Sequence, residues 1–329
     1  KRYKSRDPTV VGVPNFNATE DAAALRAAMK GFGTDEQAII EILTTRSNAQ
    51  RQAIAKSFTH EYGRVSLIAV LIMQVVGTDD QAIAKSFTHE YGRVSLIAVL
   101  IMQVVGTDEQ AIIDTLTTRS NAQRQAIAKS FTHEYVYDRP LAEHMCSETS
   151  GDFRRLLTLI VTGARDEEVG VDPEKAREDA QALFDAGEAK WGTDEEVFNR
   201  ILAHESFAQL RQIFEEYKNI SGRTIEQAIK AEIDGELKDA LSAIVECVES
   251  AAAWFATRLR KAMQGMGTDD RTLIRIVVSR SEIDLGAIKT EYERLYDKTL
   301  ESEIRVLTAL LYNGRMLART ALKLAQEKH

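Results

Sequence analysis

Met29-Lys30-Gly31-Phe32-Gly33-Thr34-Asp35-Glu36 opens a phrase that the chain uses repeatedly. Its Gly-Thr-Asp-(Asp/Glu) part recurs at Gly33, Gly77, Gly106, Gly192 and Gly267, and four of these are spaced by 73 (33 to 106), 86 (106 to 192) and 75 residues (192 to 267). A period that long marks a whole small helical unit used four times, so a function carried by the phrase is carried up to fourfold. Gly77 breaks the series. Residues 52–79 are identical at all 28 positions to residues 81–108, and residues 44–62 recur as 117–135. Repeats that diverged long ago do not keep such identity, so the block reads as a recent or artificial copy, and Gly77 is assigned no function.

Each unit reads as helix, tight turn, helix, short turn, helix. In the first, Asn17 precedes an alanine-rich segment whose Ala24, Leu25, Ala28 and Met29 share a face, and Gly31-Phe32-Gly33 stops it. Thr34 with Gln37, Thr107 with Gln110 and Thr193 with Glu196 have the spacing of capping boxes for the next helix. Ser47 with Gln50, Ser120 with Gln123 and Ser206 with Gln209 mark a further helix start. No run alternates with period two between hairpin turns, which predicts an all-α protein. The stretch 162–174, rich in Gly, Asp and Glu and holding Pro173, reads as one long connection that splits the chain into halves.

With 329 residues, 44% hydrophobic and 28% charged content and four prolines, the chain has ample material for an ordered core. Cys146 and Cys247, in a chain without a leader pattern, predict a reducing, cytoplasmic compartment. The longest mostly apolar run, 65–76, is too short to span a bilayer as a helix. A net charge of −8 repels nucleic acid and acidic membrane surfaces unless a cation intervenes. Arg46, Arg119 and Arg280 precede a serine helix start and are expected in ion pairs, while His60, His89 and His133 have no second ligand at metal spacing. No phosphate-binding loop, nucleophile elbow or His-Glu-x-x-His is present, so the chain reads as a non-enzyme.

The acids after each Gly-Thr admit two readings. Asp35, Glu36, Asp108, Glu109, Asp194 and Glu195 fall in a helix's first turn, where they offset the macrodipole, and acids there also invite a metal. The glycine turn before them suits calcium, a hard cation that takes backbone carbonyls together with a carboxylate from elsewhere in the unit. An EF-hand would require a twelve-residue loop of alternating ligands, which the sequence lacks.

Together with Thr45-Arg46-Ser47 and Glu61-Tyr62-Gly63-Arg64, the opening phrase resembles an annexin repeat. Gly187-Glu188-Ala189-Lys190-Trp191-Gly192-Thr193-Asp194-Glu195-Glu196, Ile220-Ser221-Gly222 and Met263-Gln264-Gly265-Met266-Gly267-Thr268-Asp269-Asp270 extend the resemblance over nearly the whole chain. The chain is similar to an invertebrate-type animal annexin. This resemblance implies four repeats of about five helices in a curved disc: an N-terminal segment 1–17, repeats 18–89 and 90–162, a linker 163–175, and repeats 176–250 and 251–329. It further implies calcium-dependent binding to acidic phospholipid membranes by a cytoplasmic protein that becomes peripheral, monomeric in solution and able to assemble on membranes. Segment 1–14 is a candidate site for a protein partner.

Carried over residue by residue, the resemblance makes Gly187, Lys190 and Gly192 carbonyl donors in the third repeat, with Glu232, 40 residues past Gly192, as the carboxylate. Trp191 at the loop tip becomes a membrane contact or is tucked into its own repeat. In the second repeat Met102, Val104 and Gly106 face Glu148, which lies 42 residues past Gly106, and β-branched Val104 stands in place of a glycine. The first and fourth repeats keep loops at Met29, Gly31, Gly33 and at Met263, Gly265, Gly267. The positions 40 residues past Gly33 and Gly267 are Met73 and Leu307, so calcium is expected to bind weakly there. The competing class is a helical-repeat scaffold for proteins with reduced calcium dependence.

Overall fold

The computed structural model describes residues 7–28, 35–62, 109–134, 140–163, 165–167, 170–188, 192–264 and 269–310. Among the described residues there are fifteen helices and no strand. They are α1 (Ala18–Ala28), α2 (Glu36–Thr45), α3 (Asn48–Tyr62), α4 (Glu109–Leu116), α5 (Asn121–Glu134), α6 (Leu141–Glu148), α7 (Gly151–Val161) and α8 (Pro173–Ala186). There follow α9 (Glu195–His204), α10 (Phe207–Ser221), α11 (Ile225–Glu232), α12 (Gly235–Met263), α13 (Asp270–Arg280), α14 (Leu285–Tyr296) and α15 (Leu300–Leu310). The chain forms two compact units, one from Lys1–Leu100 with Phe255–His329 and one from Ile101–Trp254.

In the first unit α1 packs on α2 and α3. Asn17 starts α1 by accepting the Thr19 N–H at 3.0 Å. The buried face of α1 is Asp21, Ala22, Leu25 and Ala28, which meets Ile39, Ile40, Ile54 and Phe58. Ala24, expected on that face, is exposed: the stripe runs through positions 21, 22, 25 and 28, one place round the helix from the predicted one. Asp21 is tolerated there because Arg46 binds it through two nitrogens, at 2.6 and 2.7 Å. Arg280 pairs with Asp284 likewise, at 2.5 and 2.7 Å, and stacks over Phe255 at 4.7 Å.

Two glutamines repeat one clasp. Gln50 accepts the Val13 N–H at 3.0 Å and donates to the Val13 carbonyl at 2.6 Å. Gln209 does the same for Asp172, at 2.8 and 2.9 Å. Both follow a serine start, Ser47 and Ser206, whose hydroxyls accept the Gln50 and Gln209 N–H groups at 3.4 and 3.1 Å. Val13 and Asp172, ahead of the first and third repeats, thus each have both main-chain groups satisfied by one side chain. The described part of the N-terminal segment is further tied to its own unit: Thr9 and Val10 donate to the Ser281 carbonyl at 2.7 and 3.1 Å, and Gly286 donates to the Asp7 carbonyl at 2.9 Å.

The connection 163–175 lies inside the second unit. Arg165 donates to the carbonyls of Leu202 and Glu205, both at 2.7 Å, filling the unpaired C-terminal end of α9. Burial, with Arg124 adding to it, pushes the Arg165 guanidinium down to about 9. Asn121 at the start of α5 donates to the Arg165 carbonyl and to Glu167, both at 2.6 Å. Beyond the connection, α8 packs on α9 and α10, and α7 packs on α9. Helices α8, α9, α10, α11 and the first part of α12 make up a five-helix repeat.

The helix Gly235–Met263 is long and apolar enough to cross a membrane by length and composition alone. It is a core element instead, with Ala240, Leu241, Ala243, Ile244 and Val248 fully buried. Its helical geometry breaks at Ser250 (φ −157°, ψ 104°), whose hydroxyl accepts the Ala253 N–H at 3.2 Å and so caps a new start.

In the first unit Glu303 receives Arg260 and Tyr292, with Lys298 at 3.2 Å. Burial alone would push its carboxyl up, but these three donors hold it at about 2, against an ordinary 4.5. A carboxylate lowered by folding contributes stability that is complete above pH 4.5 and is lost as pH falls toward 2. The thermal midpoint of the native protein is expected to drop through that window, and Glu303→Gln is expected to start lower and drop less steeply; parallel curves would exclude Glu303 as a source of acid lability. Separately, Gln209→Leu removes both part-buried bonds to the Asp172 main chain and is expected to lower unfolding free energy by about 1 kcal/mol, read from the urea midpoint. An unchanged midpoint would show that the clasp adds nothing.

Candidate metal centre

The third-repeat turn starts where α8 ends. Gly187 (φ −115°, ψ −94°) caps that helix, its N–H reaching the carbonyls of Leu183 and Phe184 at 3.2 and 3.3 Å. Asp194 then donates its N–H back to the Ala186 carbonyl at 2.8 Å, which closes the base of the turn between α8 and α9. Gly192 stands in it at φ 87°, exposed, with nothing near the position of a Cβ. Its glycine is therefore a requirement of the backbone and not of space. The same closure recurs where Asp35 donates to Ala28 and Asp269 to Ala262, each at 2.8 Å.

These aspartates begin the following helices. Asp35 accepts the Ala38 N–H and Asp269 the Thr272 N–H, both at 3.0 Å, so at these two positions the acid serves the helix start. The capping box expected from Thr193 with Glu196 is not formed: the N-cap is one residue on, at Asp194. Thr193 is thereby released, and its hydroxyl donates across the unit to the main-chain oxygen of Glu232 at 3.0 Å.

That bond brings the loop and the distant acid together. Glu232 is the last residue of α11, Ile233 is extended (φ −123°, ψ 142°), and Gly235 at φ 65° opens α12. An acid at a helix C-terminus faces the negative end of the macrodipole. Glu232 is half-buried as well, and among the described residues its side chain makes no hydrogen bond or ion pair. Two other acids withdrawn from solvent have a cation: half-buried Glu282 has Arg51 and buried Glu205 has Lys175, each at 2.6 Å. Glu188, in the loop, accepts from the Tyr217 hydroxyl at 3.3 Å and faces Arg223 at 3.8 Å. Burial, then Glu188, then Glu232 push the Tyr217 phenol well above its ordinary value, so it stays a neutral donor.

Carbonyl oxygens with a single carboxylate make a hard, oxygen-only donor set that fits calcium and not zinc. Among the described residues no three His, Cys, Asp or Glu side chains converge on one point. Gly187, Gly192 and Glu232 are placed as above; Lys190 and Trp191 lie outside the described residues. In the second repeat Glu148, which is exposed, ends α6, Thr149 is extended (φ −124°, ψ 166°) and Gly151 at φ 58° opens α7. This is the arrangement of Glu232 reproduced, despite the two-residue difference in spacing. Its loop partners Met102, Val104 and Gly106 lie outside the described residues, as do Met29, Gly31, Gly33, Gly265, Gly267 and Met73. Met263 ends α12, and Leu307 lies within α15, which continues to Leu310 without a break. Sequence reasoning missed Thr193, Tyr217 and Arg223. The hydroxyl was spent on a cap, and nothing in local spacing points from Tyr217 to a loop 29 residues earlier.

The annexin family model matches residues 20–71, 100–160, 178–244 and 254–308, leaving Gly77 between the first two segments. Annexin B10 of Drosophila melanogaster is 52% identical over 315 residues, covering 92% of this chain and 97% of that protein. The solved structure of annexin III superposes with a TM-score of 0.85 at 39% identity and covers 98% of both chains. A calcium-bound annexin (Sm)1 superposes at 0.75 with 26% identity, over 98% of this chain and 93% of that one. Four matched repeats and a relative more than half identical along nearly its full length establish that this chain belongs to the annexin family, whose members are calcium-dependent phospholipid-binding proteins.

Proposed function

We propose that this annexin binds acidic phospholipid surfaces through calcium held chiefly in the third repeat. The ligands on this reading are the main-chain oxygens of Gly187, Lys190 and Gly192 and the carboxylate of Glu232. The observation that carries it is the 3.0 Å bond from Thr193 to Glu232, which sets the loop against the acid. Calcium supplies positive charge and open coordination positions for lipid oxygens and water. The chain supplies the rest: a turn with Gly192 exposed at positive φ, a half-buried carboxylate without a counter-cation, and a neutral Tyr217 phenol that holds Glu188 at the start of the turn.

The second repeat follows with Met102, Val104, Gly106 and Glu148, whose helix-end placement matches that of Glu232. The first repeat, with Met29, Gly31 and Gly33, and the fourth, with Met263, Gly265 and Gly267, have Met73 and Leu307 where an acid would stand, and hold calcium weakly. Trp191 at the tip of the third loop contacts the membrane interface, as suits an indole. The protein is then a non-enzymatic, peripheral binder, as its annexin relatives are, and its net charge of −8 makes binding conditional on calcium.

Sedimentation with phosphatidylserine and with phosphatidylcholine vesicles, each with calcium and with chelator, tests the reading. Pelleting is expected only with phosphatidylserine and calcium together; no pelleting in any arm would favour a protein-binding scaffold. Within that assay Glu232→Gln is expected to raise the calcium needed for half-maximal pelleting by roughly tenfold or more, and Asp194→Asn by much less. The first change removes a charged ligand and the second a helix-start charge, so equal losses would sink the assignment.

A further inference from the structure

We infer that Thr193 is a positioning residue for the third-repeat site, fixing the separation of carbonyl loop and carboxylate before an ion arrives; this rests on the ligand set just proposed. Loop 187–193 is closed at its base by the Asp194 N–H on the Ala186 carbonyl, at 2.8 Å. It is braced on its rising side by Glu188, held by Tyr217 at 3.3 Å and faced by Arg223 at 3.8 Å. Neither contact reaches the segment that carries Glu232. A hydrogen bond from Thr193 Oγ1 to the Glu232 main-chain oxygen, at 3.0 Å, does.

That oxygen belongs to the last turn of α11, where helix carbonyls have no partner within the helix. The hydroxyl therefore meets an acceptor that needs a donor, and it is free to do so because Asp194 occupies the N-cap of α9. The position of the bond suits a latch. Calcium takes its oxygens within a narrow range of about 2.3–2.6 Å, and here they come from stretches 40 residues apart, Gly192 and Glu232. Local geometry cannot hold such a separation. A loop free to drift would lower apparent affinity by the fraction of time it spends misplaced, and the latch removes that loss.

Valine keeps the branched shape of threonine and lacks the donor, whereas serine keeps the donor and lacks the methyl. With calcium chelated, Thr193→Val is expected to speed amide hydrogen exchange in peptides covering 187–194 and 229–236, and Thr193→Ser to leave it near native. In phosphatidylserine-vesicle titrations Thr193→Val is expected to raise the half-maximal calcium about fivefold, the value of one hydrogen bond of about 1 kcal/mol. Thr193→Ser should stay within about twofold. If the residue works through the site, Thr193→Val adds nothing further in a Glu232→Gln background. Native exchange and titration for Thr193→Val beside a weakened Glu232→Gln would overturn the latch and leave the site standing. Equal losses for valine and serine, or an additive loss in the Glu232→Gln background, would assign the effect to packing and also overturn it. A native titration for Glu232→Gln would remove the site and the latch together.

Discussion

A carboxylate at the C-terminal end of a helix meets the negative end of the macrodipole, and a half-buried one also loses part of its hydration. Glu232 is placed in both conditions with no cation against it among the described residues. The chain shows elsewhere how it treats an acid in such a place. Glu205, at the end of α9, is given Lys175 at 2.6 Å, and the carbonyls beneath it are given Arg165. Asp35 and Asp269 stand at helix N-termini, where the dipole favours them. Among these four acids Glu232 is the exception, having neither a cation nor a favourable helix end, and departures from local rules concentrate at sites of function. The rest of the third repeat is arranged around that exception: an exposed glycine turn, a hydroxyl that ties it to the acid, and a buried tyrosine kept neutral.

Repetition explains how loop and acid meet although they are far apart in the chain. The turn between the first two helices is closed in three repeats by one bond, from the aspartate N–H to an alanine carbonyl at the end of the preceding helix. The approach to a repeat is held by one clasp, Gln50 on Val13 and Gln209 on Asp172. Each device satisfies main-chain groups that a connection would otherwise leave unpaired. The third repeat has both devices ahead of the short helix that carries Glu232, and in the second Glu148 keeps the matching helix end despite the two-residue difference in spacing.

Much of this was legible in the residues. The period of the Gly-Thr-Asp phrase announced four helical units, and the serine starts at Ser47, Ser120 and Ser206 announced the third helix of each, because capping chemistry is local. Arg46 and Arg280 were read as ion-pair residues for the same reason. Three features were not legible. Thr193 has the sequence neighbours of a cap, yet Asp194 competes for that position and wins, leaving the hydroxyl to a partner 39 residues away. The connection 163–175 has the composition of a loose loop, and the contacts that Arg165 and Asn121 make there are tertiary. The apolar run in α12 has the length of a membrane span, and its burial and the break at Ser250 are tertiary facts.

The repeats are alike in framework and unequal in charge, and that inequality bears on how the protein answers calcium. On the proposed reading the third repeat joins loop and acid, the second keeps the acid at the matching helix end, and the first and fourth have methionine and leucine at the corresponding positions. A protein of net charge −8 approaches an anionic surface against repulsion, so each ion retained both supplies a contact and reduces the barrier to the next. Sites without a carboxylate gain most from that reduction, since a lipid oxyanion can stand in for the missing charge only once the surface is near. The third repeat then sets the calcium threshold, and the weaker loops act after it, at a membrane already engaged.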